Sequence, residues 1–356
     1  MKDLKVLFYG ENAKKYVERS DLYDFLMVLS KQCNLSCIGK GWKESSLESG
    51  MKEIKPDWIL CYFHNLPDLF SVNCKIAVIV EDIHRDRNMM LEYCNKRADL
   101  VLYRYPKSYY VERDIVSWLR RRKRSPKELI SKRISKRNQY RLPKWLMFKK
   151  EQISFIDQLN KRCKTIFFPF SVDEKRFKPL SEKIYDIVFL GAVDKRIYPL
   201  RYDIEQNIAR LCKKEGWNLV TSKSQGFGGS PAGLTYEYAK KHGGIVGEEY
   251  AKVLGQAKIM ITGTSIFHYA IRKIKEGMSA GMVVLTDNPQ MSKELGLKHD
   301  LNYFEINKNT WEPILTNILK DTDRIKRIGE NGRELVLRMH TNKIRAMELI
   351  KTLEGF

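Results

Sequence analysis

Short apolar runs separated by stretches of helical spacing set the rhythm of this chain. KVLFY at 5–9, WILCYF at 58–63, KIAVIV at 75–80 and LVLY at 100–103 are brief and nearly continuous in their apolarity. They are rich in β-branched and aromatic residues, as strands buried on both faces of a parallel sheet are. Between the first two runs, Leu22, Phe25, Leu26 and Leu29 share one side of a helix predicted over 22–32. The alternation of strand and helix predicts βαβ crossovers.

The same rhythm resumes in the second half. TIFF at 165–168, YDIVFL at 185–190, NLV at 218–220, KIMIT at 258–262 and MVVLT at 282–286 are the predicted strands. Helices fit over 202–214 and 271–280, and two helical stretches, 310–320 and 322–355, close the chain. At 356 residues the chain is long for one core. Two α/β domains of roughly 150–180 residues are the natural expectation.

Composition changes this picture little. Hydrophobic residues make up 43% and aromatics 11%, enough to fill two cores, which excludes a disordered chain. Residues 1–10 read as a strand rather than an apolar leader, and no apolar run approaches the ~18 residues of a spanning helix. A cytoplasmic location is expected. The seven cysteines are irregularly spaced; Cys33 and Cys37 have no second pair at zinc spacing, so free buried thiols are expected.

Charge adds more. The net charge of +22 implies an anionic partner: nucleotide phosphates, an acidic membrane face or nucleic acid. The excess is densest at 119–150, which includes RRRKRSPKELISKR and almost no acid, with Tyr140, Trp145 and Phe148 interspersed and Trp118 just before it. Three readings stand side by side: a solvated surface element, a peripheral contact with an anionic inner membrane face through the Trp145–Phe148 cluster, and a groove for nucleic acid. The compact apolar cluster ranks the membrane above nucleic acid.

Four segments carry a family resemblance. SVDEKRFKPL at 171–180, DIVFLGAVDKRIYPLR at 186–201, RKIKEGMSAGMVVLTDNP at 272–289 and DTDRIKRIGENGRELV at 321–336 resemble, in order and spacing, the GT-B glycosyltransferases. The style is that of the group-1, family 4-like enzymes and their CgeB-like branch. The resemblance implies two facing Rossmann-like domains. An acceptor-side domain would span 1–170, with the basic insertion near 119–150, and a nucleotide-sugar domain 171–335. A final helix over 336–356 would return to the first domain.

It also implies site residues. Glu276 matches the family's acid that binds the nucleotide ribose, and a carboxylate suits two vicinal hydroxyls. Gly191, Arg196, Arg201 and Lys273 fall where the family approaches the donor diphosphate, with Lys195 a weaker choice. Val246, in HGGIVG, falls near the nucleobase. His268 stands eight positions before Glu276, where many retaining members have a glutamate. This departure leaves the stereochemistry open. The Gly-rich stretch at 224–233 lacks the spacing of a phosphate-binding fingerprint and reads as a loop over the cleft.

A catalytic base has to come from the facing domain. Asp82, just after KIAVIV, resembles the base of inverting DNA glucosyltransferases of this fold; His84 and His64 are alternatives. The only D-x-D, Asp321 to Asp323, opens a predicted helix and reads as helix-start acids. No metal and no cofactor are therefore expected. The donor expected is a UDP- or GDP-sugar, and the acceptor a glycan or lipid-linked hydroxyl. A DNA-modifying transferase and a catalytically silent binding protein are the rival readings.

Overall fold

The computed structural model describes residues 3–17, 19–43, 46–63, 72–81, 87–111, 150–159, 163–222 and 234–356. Six parallel strands form the first sheet: β1 (Lys5–Tyr9), β2 (Asn34–Ile38), β3 (Trp58–Tyr62), β4 (Lys75–Val80), β5 (Leu100–Tyr103) and β8 (Lys164–Phe167). A small antiparallel pair, β6 (Lys107–Val111) and β7 (Lys150–Ser154), intervenes in the chain. The order across the sheet is β2-β1-β3-β4-β5-β8. Among the described residues three helices accompany it: α1 (Ser20–Leu29), α2 (Leu47–Ile54) and α3 (Arg87–Arg97). Leu22, Phe25, Leu26 and Leu29 of α1 are all buried, as their spacing predicts.

The second sheet is also parallel, in the order β10-β9-β11-β12-β13. Its strands are β9 (Tyr185–Phe189), β10 (Leu219–Thr221), β11 (Ala257–Ile261), β12 (Val283–Thr286) and β13 (Phe304–Glu305). The helices are α4 (Pro199–Glu215), α5 (Tyr236–Lys241), α6 (Gly247–Gly255), α7 (Arg272–Ser279), α8 (Trp311–Leu319), α9 (Thr322–Met339) and α10 (Asn342–Glu354). Both sheets reverse their winding after the first strand, so each has a crevice at the carboxyl ends of two neighbouring strands.

One strand was not expected, and one expectation needs correction. NLSCI at 34–38 is a strand; its Asn and Ser broke the apolar run that would have marked it. The stretch 322–355 is two helices, not one. The break falls at His340 and Thr341, where the linker at Val172 pairs with the chain: Val172 N–H donates to His340 O (3.0 Å) and Asn342 N–H to Val172 O (3.0 Å). Thr341 then caps α10 through Ile344 N–H. Ala346, Leu349, Ile350 and Leu353 of α10 lie in the core of the first sheet, so the last helix does cross back.

The second domain is packed through small residues. Gly281, at φ +73°, turns the chain from α7 into β12. Helix α9 crosses this turn so closely that a Cβ on Gly329 would sit 2.5 Å from Gly281 O. That oxygen is backbone and cannot swing aside. Gly329→Ala is expected to lower stability by about 2–4 kcal/mol in urea unfolding. An unchanged midpoint would show that α9 can stand off the turn at no cost.

Candidate functional site

The crevice of the second sheet lies between the ends of β9 and β11, and basic side chains close it. Gly191 follows β9 with φ +126°. A Cβ there would collide with Lys273 Nζ and come within 3.5 Å of Arg201 Nη1, so only glycine admits both cations. Lys273 Nζ donates to Leu190 O (2.9 Å). Arg201, buried on α4, donates from Nε to Gly263 O (2.6 Å) and from Nη1 to Ala192 O (3.1 Å). It thereby joins the loops after β9 and β11. Lys273 stands in the first turn of α7, whose N-cap, Ile271, makes no side-chain cap bond.

Electrostatics at this point favour an anion. Burial first, then the Arg201 charge, bring the Lys273 amine down to about 7, against the pull of Glu276. Burial also lowers the Arg201 guanidinium, which stays protonated throughout the working range.

Glu276 lies one turn along α7 and is almost fully buried. Its Oε1 pairs with Arg272 Nε (2.7 Å), and its Oε2 accepts from Tyr250 OH (3.0 Å). Burial and the neighbouring carboxylate hold the Tyr250 phenol well above its ordinary value, so it remains a donor. A carboxylate has about four acceptor positions, and these two bonds leave others for ligand hydroxyls. Arg272 reaches the first domain as well, with Nη1 to Asp21 Oδ1 (2.9 Å) and Nη2 to Val17 O (3.1 Å). Burial would lower its guanidinium, but Glu276 and Asp21 raise it beyond the ordinary arginine value.

His268 sits in the loop after β11 at φ +53°, a conformation uncommon for a side chain other than glycine. Its backbone is fixed by Ser265 O and by Gln290 N–H. Nδ1 lies 3.5 Å from Asp287 Oδ2, and the side chain is 45% exposed. Asp287 follows β12 and accepts from Thr264 N–H (2.6 Å) and Thr264 Oγ1 (2.6 Å). Burial raises its carboxyl, but bonds from His268 and Thr264 prevail and hold it below the usual range.

The other sequence candidates fall out variously. Arg196 is not drawn into the crevice: its Nη2 pairs with Asp194 Oδ2 (2.8 Å) at the surface. Val246 is the N-cap of α6 and is buried against Leu234 and Ala239. Asp82, His84 and His64 lie outside the described residues, as do 224–233 and all of 119–150 except Lys150. Glu81, just before Asp82, is described and pairs through Oε2 with Arg104 Nε (2.9 Å). Asp321 caps α9, accepting from Arg324 N–H (2.9 Å), and Asp323 lies in that helix's first turn. All seven cysteines are free. Among the described residues no cluster of three or more His, Cys, Asp or Glu side chains fits a metal, and no helix is long and apolar enough to cross a membrane.

Comparison with known proteins agrees with this geometry. Residues 216–351, well under half the chain, match the glycosyl transferase-like family. A search of curated protein sequences finds no match. The fold is similar to sucrose-phosphate synthase from Thermosynechococcus elongatus, with a TM-score of 0.62, 12% identity, and 99% and 98% of the two chains covered. It is also similar to Anabaena HepE in complex with UDP and glucose, with a TM-score of 0.56, 12% identity, and 99% and 100% covered. A glycosyltransferase from Rickettsia africae has a TM-score of 0.55, 12% identity, and 100% and 99% covered. The overall architecture is the GT-B fold.

The Lys273 amine has a pH consequence for stability. Its folded value, about 7, lies below the ordinary 10.5, so between these values the unfolded chain holds a proton that the folded chain does not. Stability therefore rises with pH across that window, and the penalty is complete below it. Lys273→Met is expected to flatten the rise by about 1–2 kcal/mol in urea titrations from pH 7 to 10. Parallel profiles for the two proteins would place the amine in ordinary solvent.

Proposed function

We propose that this protein is a glycosyltransferase that moves a hexose from a nucleoside-diphosphate sugar to a hydroxyl acceptor, a glycan or glycolipid. The observation that carries the reading is the meeting of Lys273, Arg201 and the first turn of α7 at Gly191, one helical turn from Glu276. Glu276 would accept from the ribose hydroxyls, while Lys273, Arg201 and the α7 amides would face the diphosphate. Val246 and the start of α6 would flank the base. The charge that develops on the leaving diphosphate falls at these cations, where a preorganised site lowers the barrier most. Transfer by this route uses protein cations alone, with no metal required. HepE, of the same fold, is in complex with UDP and glucose, which makes uridine diphosphate sugars the first donors to test.

His268, oriented by Asp287, is assigned to the transferred sugar, as a hydrogen-bond donor or proton acceptor at the cleft side of its ring. Asp82, with His84 as alternative, is the proposed base from the facing domain if the reaction inverts. The net positive charge of the chain is consistent with an anionic inner-membrane surface near a lipid-linked acceptor.

Calorimetry with UDP-, GDP-, ADP- and dTDP-sugars, without added metal, tests the donor site. One donor is expected to bind wild type, and Glu276→Ala to weaken it by about 10–100-fold, the loss of charge-assisted bonds to the ribose. No binding by folded wild type would remove the transferase reading. Once turnover is detected, Asp287→Asn and His268→Gln are expected to lower kcat by a similar factor of about 100, because each disables the same imidazole. Full activity in both variants would exclude the pair from the chemistry.

A further inference from the structure

Tyr250 stands where helix α6 meets the acid of α7. It follows the N-cap Val246 by four positions, so the two lie on one side of the start of α6. Its hydroxyl donates to Glu276 Oε2 (3.0 Å). Its ring meets Phe177 edge to face, with centroids 6.0 Å apart and planes at 74°. Phe177 is itself buried, and its carbonyl accepts from Ser279 Oγ (2.6 Å), at the end of α7. The phenol thus lies between Phe177 and Glu276, and both of these are tied to α7.

The donors to Glu276 fall on different oxygens. Arg272 Nε pairs with Oε1 (2.7 Å), and Tyr250 OH with Oε2 (3.0 Å). Among the described residues no other side chain bonds to either oxygen. A carboxylate oxygen has about two acceptor positions. One is therefore taken on each oxygen, and one is left on each. Single acceptors on the two oxygens of one carboxylate match hydroxyls on neighbouring carbons, each donating one hydrogen. A lone hydroxyl fills one position and leaves the other unanswered, on a carboxylate whose side chain is only 4% exposed. With Arg272 alone, Oε2 would keep both of its positions and the carboxyl group would turn more freely about its bond to Cγ. The open acceptors would then no longer be set for a diol.

We infer that Tyr250 is a positioning residue that sets Glu276 for a vicinal diol, and that the pair thereby restricts the donor to ribonucleotides over their 2′-deoxy counterparts. This rests on the reading of Glu276 as the ribose contact. Tyr250 acts through the carboxylate rather than on the donor itself. A phenylalanine ring would pack on Phe177 equally well, so the hydroxyl is the part that carries this role.

Calorimetric titration of wild type and Tyr250→Phe with UDP, GDP and ADP and with their 2′-deoxy forms, without added metal, tests this. For the ribonucleotide that wild type binds, the 2′-deoxy form is expected to bind about 10–100-fold more weakly. Tyr250→Phe is expected to weaken the ribonucleotide by about tenfold and its 2′-deoxy form by no more than about twofold, so that the preference shrinks. A merely structural role for Tyr250 would weaken both forms equally, and an unchanged ratio would overturn the inference. The wild-type ratio is independent of how the variant folds, and equal binding of both forms by wild type would overturn it as well. Glu276→Ala separates this from the reading beneath it. If Glu276→Ala weakens the ribonucleotide while Tyr250→Phe keeps the wild-type ratio, the ribose contact stands and the role of Tyr250 falls. If wild type binds no nucleotide, or Glu276→Ala binds as wild type does, the ribose contact falls and takes this inference with it.

Discussion

Asp21 is the carboxylate on which the arrangement of the two domains turns. It accepts from Arg104 of its own domain (3.2 Å) and from Arg272 of the other (2.9 Å). Arg104 continues to Glu81, and Arg272 to Glu276 and thence Tyr250. The result is a buried chain of alternating charge, from the end of β4 to the middle of α7. A buried charge is tolerable when its neighbours compensate it and costly when one is removed. Glu276 therefore depends for its position on a residue of the first domain. Opening the domains would strip Arg272 of Asp21 and leave its guanidinium to Glu276 alone. The candidate ribose contact is thus shaped from both domains.

The second constraint is topological. In each sheet the winding reverses beside its first strand, and in the second sheet this places the loops after β9 and β11 next to one another. Arg201 binds carbonyls of both loops and is itself buried, so it fixes their separation before any ligand arrives. Lys273 fills the space that the missing side chain of Gly191 leaves. A site held this way pays little reorganisation when negative charge builds up within it. Tyr105 and Tyr269 stack with centroids 3.8 Å apart across the cleft, beside His268, and keep that loop against the first domain.

Much of this was legible in the sequence, for a physical reason. Strands buried on both faces announce themselves as continuous apolar runs, and α1 shows its inner face by spacing alone. Gly191, Lys273 and Glu276 stood out because local words surround them. Asp21, Tyr250, Arg272 and Asp287 did not. Each is polar in a stretch where polar residues are ordinarily solvated, and each acquires its role from a distant partner: Asp21 and Arg272 are 251 positions apart. The helix break at His340 was equally hidden, since no glycine or proline marks it and the linker at Val172 imposes it. Arg196 and Arg201 looked alike in sequence. The pairing of Arg196 with Asp194, two residues away, keeps it at the surface, while Arg201 has the helical position that turns inward.

The short helix α7 concentrates these constraints. Arg272, Lys273, Lys275 and Glu276 occupy about one turn, so their side chains leave the axis in different directions. Arg272 goes to the first domain, Lys273 to the loop after β9 and Glu276 to Tyr250, while Lys275 is buried. Both lysines are brought near neutrality, each by burial first and then by arginine charge: Arg201 for Lys273, and Arg345 and Arg104 for Lys275. An anion at the Lys273 amine would restore its ordinary basicity, so the crevice would take up a proton as it fills. One short helix thus carries the crevice amine, the candidate ribose acid and the arginine that reaches the first domain. Apolar residues at these positions would be simpler to bury; the charges that stand there instead tie α7 to Asp21, to Leu190 O and to Tyr250.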